Sequence, residues 1–280
     1  MPELPEVENI RRSLAPHLLD EYLTLKQPFH PQVWINPGDL PCRDVKVTAI
    51  NRRGKYLDFV LDSNLHLVAH LRMTGRFTYT EDLASPCLPH THVIFAVSHS
   101  VGLPAHAELR YSDPRRFGRL ILLNDTELKS YKFGYNSLGA EPLSPDFTPA
   151  YLLTAAGKHP HAKIKSFLLD QTVIAGLGNI YADEILYACR LHPCIPVGSI
   201  SEASWEQVVN ETIRLLSLSI ANHGTTFRDY RDGDGKRGGF QSLLCVYGRA
   251  GQACPRCNGI LATTRISGRS TVYCPQCQAM

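Results

Sequence analysis

No run of apolar residues in the 280-residue chain approaches the roughly 20 needed to cross a bilayer. The amino terminus, acidic and interrupted by prolines, lacks the basic and apolar regions of a secretory signal, so a cytoplasmic protein is expected. No internal repeat of solenoid period is present. A strong charge imbalance is absent too: 29 Lys and Arg against 26 Asp and Glu leave a net +3, which permits an anionic partner without requiring one. The nine cysteines lack the pattern of a disulfide framework. Cys42, Cys87, Cys189, Cys194 and Cys245 are scattered, the total is odd, and the other four crowd the last 27 residues, which argues for reduced thiols and a metal site. What remains is an ordinary packed composition, 44% hydrophobic and 20% charged, in a chain long enough for two or three domains.

Periodicity divides the chain. After a first helix whose Val7, Ile10 and Leu14 share a face, residues from about 20 to 125 alternate in short runs. KYLDFVLDS places Leu57, Phe59 and Leu61 together, and LHLVAHLRM does the same for Leu65 through Met73, the density expected of an antiparallel β-sandwich. The turn-rich stretch 136–150 has no period and is assigned as a linker. Helical spacing then runs from about 150 to a C-cap at Gly224. The expected organisation is α+β: 1–135 helix and sandwich, 151–244 a helical domain, and 245–280 a metal-bound finger. Within the helical domain, the loop 228–239 has four glycines and four basic residues but too few apolar side chains to pack itself, so it should be mobile until something binds.

The finger carries the strongest single motif. Cys254 and Cys257 form one CxxC, Cys274 and Cys277 a second, with sixteen residues between, the spacing of a tetrahedral four-cysteine zinc site. Four thiolates leave no open position for a catalytic water, so the single Zn2+ is read as structural. What the finger displays, notably Arg269 in SGRSTVYC, matters more than the ion.

The opening MPELPEVENI admits two readings. Pro5 early in a helix, with carboxylates near its positive end, is helix punctuation and needs no function. Pro2 is not explained that way. With Met1 removed it becomes a secondary amine of pKa roughly 8, partly unprotonated near neutrality and able to form an iminium with an aldehyde-like carbon. Elsewhere, GLGNIYADEIL sets Asn179 at a helix start, where backbone N–H groups and the side-chain amide suit a phosphate. LRYSDPRRFG puts Arg115 and Phe117 on one turn, a charged plane and an apolar wedge of the kind that fills the gap left by an extruded base; the alternative is an ordinary core aromatic.

MPELPEVE, RRGKYL, HLRMTGRF, YSDPRRFG, LGAEPLS, FLLDQTVIAGLGNIYADEIL, DGDGKRGGF, VYGRAGQACPRC and GRSTVYCPQCQ, in this order from residue 1 to 278, together resemble the family of formamidopyrimidine-DNA glycosylases and endonuclease VIII. The resemblance implies a helix-two-turn-helix in the helical domain and, as partner, duplex DNA containing oxidised purines such as 8-oxoguanine and formamidopyrimidines, acted on by a monomer without a membrane. It implies base excision followed by β,δ-elimination at the abasic (AP) site. Pro2 matches the nucleophile, Glu3 the acid that assists ring opening, Lys55 the lysine of β-elimination, and Arg269 the arginine of δ-elimination and phosphate grip. Met73, Arg115 and Phe117 match a void-filling triad; His90, Asn179 and Lys165 match backbone-contacting or site-lining positions. Lys236 lies in the loop 228–239, which matches a lid over the extruded base. The phosphate-contacting lysine near KHPHAKIK is either Lys158 or Lys163. Glu6 is expected to order the amine or a water near it, with its dipole role as the alternative. A pyrimidine-specific endonuclease VIII type and a non-catalytic damaged-DNA binder are the competing functions; ELPE and MTGRF favour the purine enzyme by resemblance, and the joint presence of Pro2, Glu3 and Lys55 disfavours the binder.

Overall fold

The structure, a computed structural model, describes residues 1–28, 30–132, 134–226 and 231–280, apart from the side chains of 27 and 28. Its contacts separate two units: Met1–Asn136 with Asn222–Gly239, and Ser137–Ala221 with Phe240–Met280.

The first unit opens with α1 (Leu4–Leu18), whose Val7, Ile10, Leu14 and Leu18 all enter the core. Nine strands follow: β1 (Tyr22–Pro28), β2 (Trp34–Ile35), β3 (Val45–Arg53), β4 (Tyr56–Leu61), β5 (Leu65–His70), β6 (Arg76–Thr80), β7 (Thr91–Ser98), β8 (Ala107–Ser112) and β9 (Arg119–Asn124), with α2 (Asp125–Ser130) after them. They make one ladder, β2-β9-β5-β4-β3-β1-β7-β8-β6. It doubles over at β3, which pairs with β1 at its start and with β4 along the rest. The two halves close on a common core, where Phe59 of β4 meets Phe77 of β6 at 5.5 Å and Trp34 of β2 meets Phe95 of β7 at 5.8 Å between ring centres. This is the expected sandwich with one departure: β2 runs parallel to β9. The two strands are far apart in sequence, so no hairpin forces them antiparallel.

Leu57, Phe59 and Leu61 lie in the core as their alternation requires. The polar positions between them are not simply solvated. Asp58 is buried against His66 at 2.9 Å, and all of β8 is buried because Glu108 binds Lys26 at 2.8 Å and Arg110 at 2.7 Å. The strand expected to reach Met73 stops at His70. Arg72 takes a left-handed φ of 55°, which turns Met73 out of the sheet to 40% exposure.

The second unit contains α3 (Pro149–Lys158), α4 (Ile164–Leu169), α5 (Asn179–Ala188), α6 (Glu202–Ala221) and the ribbon of β10 (Ala262–Ile266) and β11 (Arg269–Tyr273). Two successive turns join α4 to α5, closed by Val173 N donating to Asp170 O and Gly176 N to Gln171 Oε1, both 3.0 Å: a helix-two-turn-helix. The stretch 136–150 is not a slack linker. Ala140 bridges Ile174, Gly139 N donates to Gln171 O at 2.9 Å, and Phe147 is buried. A side chain at Gly139 would collide with the Val173 carbonyl, so this glycine permits close approach. Residues 245–280 share a small core with Tyr187 of α5, so the finger is continuous with the helices. Residues 222–239 group with the sandwich, beyond the end of α6 at Ala221.

Candidate active-site and nucleic-acid-binding residues

Three glutamates begin α1, and the fold gives each a different task. Glu3 caps the helix and is buried. Glu6 accepts the N–H of Glu3 at 2.9 Å and of Thr225 at 2.8 Å, so its carboxylate fixes two backbone segments and is not merely placed near the helix dipole. Thr225 can come so near because Gly224 is left-handed, and even a Cβ there would stand only 3.1 Å from Glu6 Oε1. Glu8 receives Arg11 at 2.8 Å, Arg12 at 2.8 Å and Arg52 at 3.3 Å. Burial alone would raise its carboxyl, but the hydrogen bonds from Arg11 and Arg12 and the charges of Arg11 and Arg52 outweigh burial and hold it down at about 2. Arg52 also donates to Gly54 O at 3.2 Å, at the left-handed turn that precedes Lys55. Glu8 therefore fastens the helix that begins after Pro2 and Glu3 to the turn that carries Lys55. Pro2, Glu3 and Lys55 are all buried.

His70 is a residue the sequence reading passes over, because within HLRMTGRF it looks like one more strand position. It packs edge-on against Tyr56 at 4.5 Å. Burial, followed by the charges of Arg72 and Lys55, pushes its imidazole down to about 3. Its Nδ1 accepts the Arg72 N–H at 3.1 Å, which leaves the proton on Nε2. The result is a neutral N–H donor within the field of Lys55.

The wedge residues stand out from the sandwich. Phe117 is 50% exposed, with the Arg115 guanidinium 5.0 Å from its ring centre, while Tyr111 and Phe77 fill the core that Phe117 could have occupied. His90 is exposed and left-handed, with φ 63°. Lys236 is exposed, 3.5 Å from Asp234. Its loop is better held than its composition suggests. Asp232 accepts the N–H groups of Asp234 and Lys236 at 3.1 and 2.8 Å, and Gly233 donates to Ser13 Oγ at 2.8 Å. Residues 228–230 of the expected lid lie outside the described residues.

In the second unit Lys165 departs from its expected place. It is completely buried, with Nζ 2.6 Å from Asp183 Oδ1, 2.8 Å from Thr271 Oγ1 and 3.1 Å from Ser270 O, so it cannot contact DNA from this position. Asp183 also accepts the Val272 N–H at 3.1 Å. Burial pushes the Asp183 carboxyl up, opposed by the Lys165 ammonium. Asn179 opens α5 and donates its amide to Ser270 O at 2.8 Å. Arg269, beside Ser270, is exposed after a two-residue Ser267–Gly268 turn with φ of 47° and 73°, the form that suits a tight hairpin. Asn179, Lys165 and Arg269, far apart in sequence, thus meet at β11. Lys158 and Lys163 are both exposed, one ending α3 and the other preceding α4.

The four finger cysteines converge. Cys254 and Cys277 sulfurs are 3.9 Å apart and those of Cys257 and Cys274 3.5 Å, close to the roughly 3.8 Å edge of a tetrahedron with 2.3 Å Zn–S bonds. Arg256 N and Cys277 N each point at a ligand sulfur at 3.4 Å, as metal knuckles do. These residues fit one structural zinc. Glu21, His99 and His106 form the other close group of potential ligands among the described residues. The two imidazoles stack face to face at 3.8 Å and 13°, so their in-plane lone pairs run parallel and do not converge on one ion.

A helix-led sandwich, a helix-two-turn-helix and a four-cysteine finger in this order define a class of zinc-finger DNA-repair glycosylases. Family models agree along the chain: the formamidopyrimidine-DNA glycosylase N-terminal domain over residues 1–120, its H2TH domain over 138–231, and the zinc finger found in FPG and IleRS over 251–279. A formamidopyrimidine-DNA glycosylase of Moorella thermoacetica is 44% identical over 269 residues, covering 95% of each chain. Among solved structures, a Lactococcus lactis FPG mutant in complex with Fapy-dG containing DNA matches all of both chains with TM-score 0.88 and 31% identity. MutM in complex with carbocyclic 8-oxo-G containing DNA also matches all of both chains, with TM-score 0.87 and 32% identity. The chain belongs to the formamidopyrimidine-DNA glycosylase family.

Proposed function

We propose that the chain removes oxidised purines, 8-oxoguanine and formamidopyrimidines, from duplex DNA and then nicks the strand by successive β- and δ-elimination. The observation that carries this reading is the junction between α1 and the β3–β4 turn, where the Glu8–Arg52–Gly54 contacts fix Pro2 and Glu3 in relation to Lys55. Once Met1 is removed, the Pro2 nitrogen attacks C1′ of the extruded nucleotide. A C1′–N bond forms, the nitrogen loses its proton, and Glu3 protonates the ring oxygen as the sugar opens. The damaged base departs with its glycosidic electrons and a proton. The iminium acidifies C2′–H; Lys55 takes that proton and the 3′ phosphate leaves, and a second elimination assisted by Arg269 expels the 5′ phosphate. Hydrolysis of the iminium regenerates Pro2. His70, neutral and donating from Nε2, is suited to a phosphate oxygen near Lys55.

Borohydride reduction in the presence of an 8-oxoguanine duplex should yield a covalent protein–DNA adduct of mass consistent with attachment through Pro2. Pro2→Gly should retain binding to damaged duplex while losing most turnover. Undiminished turnover in that variant would defeat the mechanism, and preference for thymine glycol over 8-oxoguanine would reassign the substrate.

A further inference from the structure

Two turns carry the residues assigned to the DNA wedge, Met73 after β5 and Arg115 with Phe117 between β8 and β9, and a third, before β7, carries His90. One buried residue lies behind all of them. Asp113, 0% exposed, accepts Thr74 Oγ1–H and the Arg115 N–H on Oδ1, and the Gly118 N–H at 2.7 Å on Oδ2. Its own N–H donates to His90 O at 3.0 Å, and its carbonyl accepts from His92 Nε2 at 2.9 Å and from Arg116 N at 3.1 Å. Among the described residues no Arg or Lys forms an ion pair with it; hydroxyl and backbone N–H donors from two turns satisfy the charge, so neither turn can move without stripping a buried carboxylate of a donor. Tyr111 seals the arrangement. Its hydroxyl is buried and has no hydrogen-bond partner among the described residues, and a Cβ at either Gly75 or Gly118 would collide with it, so both glycines let their turns close down on the same atom.

The geometry points to Asp113 as a positioning residue that makes these turns one rigid wedge, so that Met73, Arg115 and Phe117 enter a duplex together. This rests on the proposed function, in which the wedge replaces an extruded base. A rigid wedge transmits the cost of unstacking to every base it tests, whereas independent side chains could each withdraw; Asp113 would then set how strongly a normal, well-stacked base resists extrusion compared with a damaged one.

Thr74→Val tests this without emptying the site, since it keeps the branched shape and removes one donor. Cleavage of an 8-oxoguanine duplex and of an abasic duplex, which has no base to extrude, should be measured in the zinc-loaded full chain for wild type, T74V, Met73→Ala and the double variant. The ratio of 8-oxoguanine to abasic cleavage should fall about tenfold in T74V, the scale of one hydrogen bond to a charged acceptor. T74V should add nothing in the M73A background, because the turn it frees has already lost its tip. Asp113→Asn, which also withdraws the acceptor for Gly118 N–H, should lower the ratio further, with unchanged thermal unfolding of T74V serving as the control for folding. A ratio unaltered in T74V, or losses that add with M73A, would overturn the coupling. Emission from 2-aminopurine opposite a tetrahydrofuran site reports wedge entry through binding alone. If wild type cleaves neither substrate, the catalytic reading fails, and the emission change in T74V relative to M73A still decides the wedge.

Discussion

In the first unit the side chains of interest sit at the start of a helix and on turns between strands, anchored on an extensive apolar core and aimed by buried hydrogen bonds. The ribbon that carries Arg269 has no such support. Its core is little more than Tyr187, Val246, Leu261 and Val272 with two of the cysteines, and it is held by a metal site at one end and by Lys165, Asp183 and Asn179 along one edge. The same demand, a side chain held in a fixed place, is met chiefly by a large apolar core with buried carboxylates at its turns in one region, and by coordination and a paired buried charge in the other. Burial tolerates many substitutions of similar volume, while coordination and a paired buried charge fail when one partner is removed.

The sharpest way to break this comparison is to remove zinc. A structural zinc site contributes on the order of 10 kcal/mol to folding the segment it closes, so a chelator, or Cys254→Ser, should unfold the ribbon and lower 8-oxoguanine cleavage by about a hundredfold or more. Near-ultraviolet circular dichroism of the first unit's aromatic core should persist; its loss alongside the ribbon would show that the two regions are not held independently.

Next comes Asp183→Asn, which removes the counter-charge of the buried Lys165 ammonium. A loss of about 3–5 kcal/mol is expected in urea unfolding of the second unit. A loss below about 1 kcal/mol would mean that neutral acceptors suffice for the lysine.

Gly118→Ala should cost about 1–3 kcal/mol because the new methyl overlaps the Tyr111 hydroxyl. Tyr111→Phe, which removes a hydroxyl that has no partner among the described residues, should alter stability by no more than about 0.5 kcal/mol and should rescue the alanine variant. Failure of that rescue would place the strain in the backbone.

The smallest effect is expected at His66, between Asp58 and Asp125 at 2.9 and 3.0 Å. The hydrogen bond to Asp58 raises its pKa, burial opposes this, and Asp125 adds to the rise. A raised folded value means the charged imidazole stabilises the fold fully below the unfolded pKa of about 6.5, and that the contribution disappears as pH climbs through the folded value. The stability gap between wild type and His66→Gln, of order 1 kcal/mol or less, should therefore be widest below about pH 6.5 and narrow above it. A gap that widens with pH would contradict the ion-pair assignment.

Local pattern carried much of this structure. The apolar stripe of α1 needs only the 3.6-residue period, the strand faces only alternation, and the paired CxxC spacing defines its own ligand set. What pattern could not disclose depends on partners remote in sequence. Lys165 is matched by resemblance to a backbone-contacting or site-lining position, and only the fold shows Asp183, Ser270 and Thr271 around it, the latter two more than a hundred residues away. Likewise, 136–150 looks like a linker because its anchors at Gln171 and Ile174 lie in another segment, and Glu6 looks like a dipole partner because Thr225 is 219 residues distant. Arg115 and Phe117 are picked out as wedge candidates by residue type, and both lie on the turn between β8 and β9. The strand to which Met73 was assigned was not, since one left-handed Arg72 decides where the strand stops, and arginine carries no signal for that conformation.

The ribbon's second strand, β11, has a consequence for which changes it can absorb. From Arg269 to Tyr273 it is registered residue for residue against β10, while Ser270, Thr271 and Val272 are bonded in succession to α4 and α5, and Cys274 follows at once as a ligand. An inserted or deleted residue between Arg269 and Cys274 would turn the arginine to the opposite face and draw the sulfur off its vertex together. Variation here is confined to side-chain identity, and the spacing from turn to thiolate acts as a ruler of fixed length.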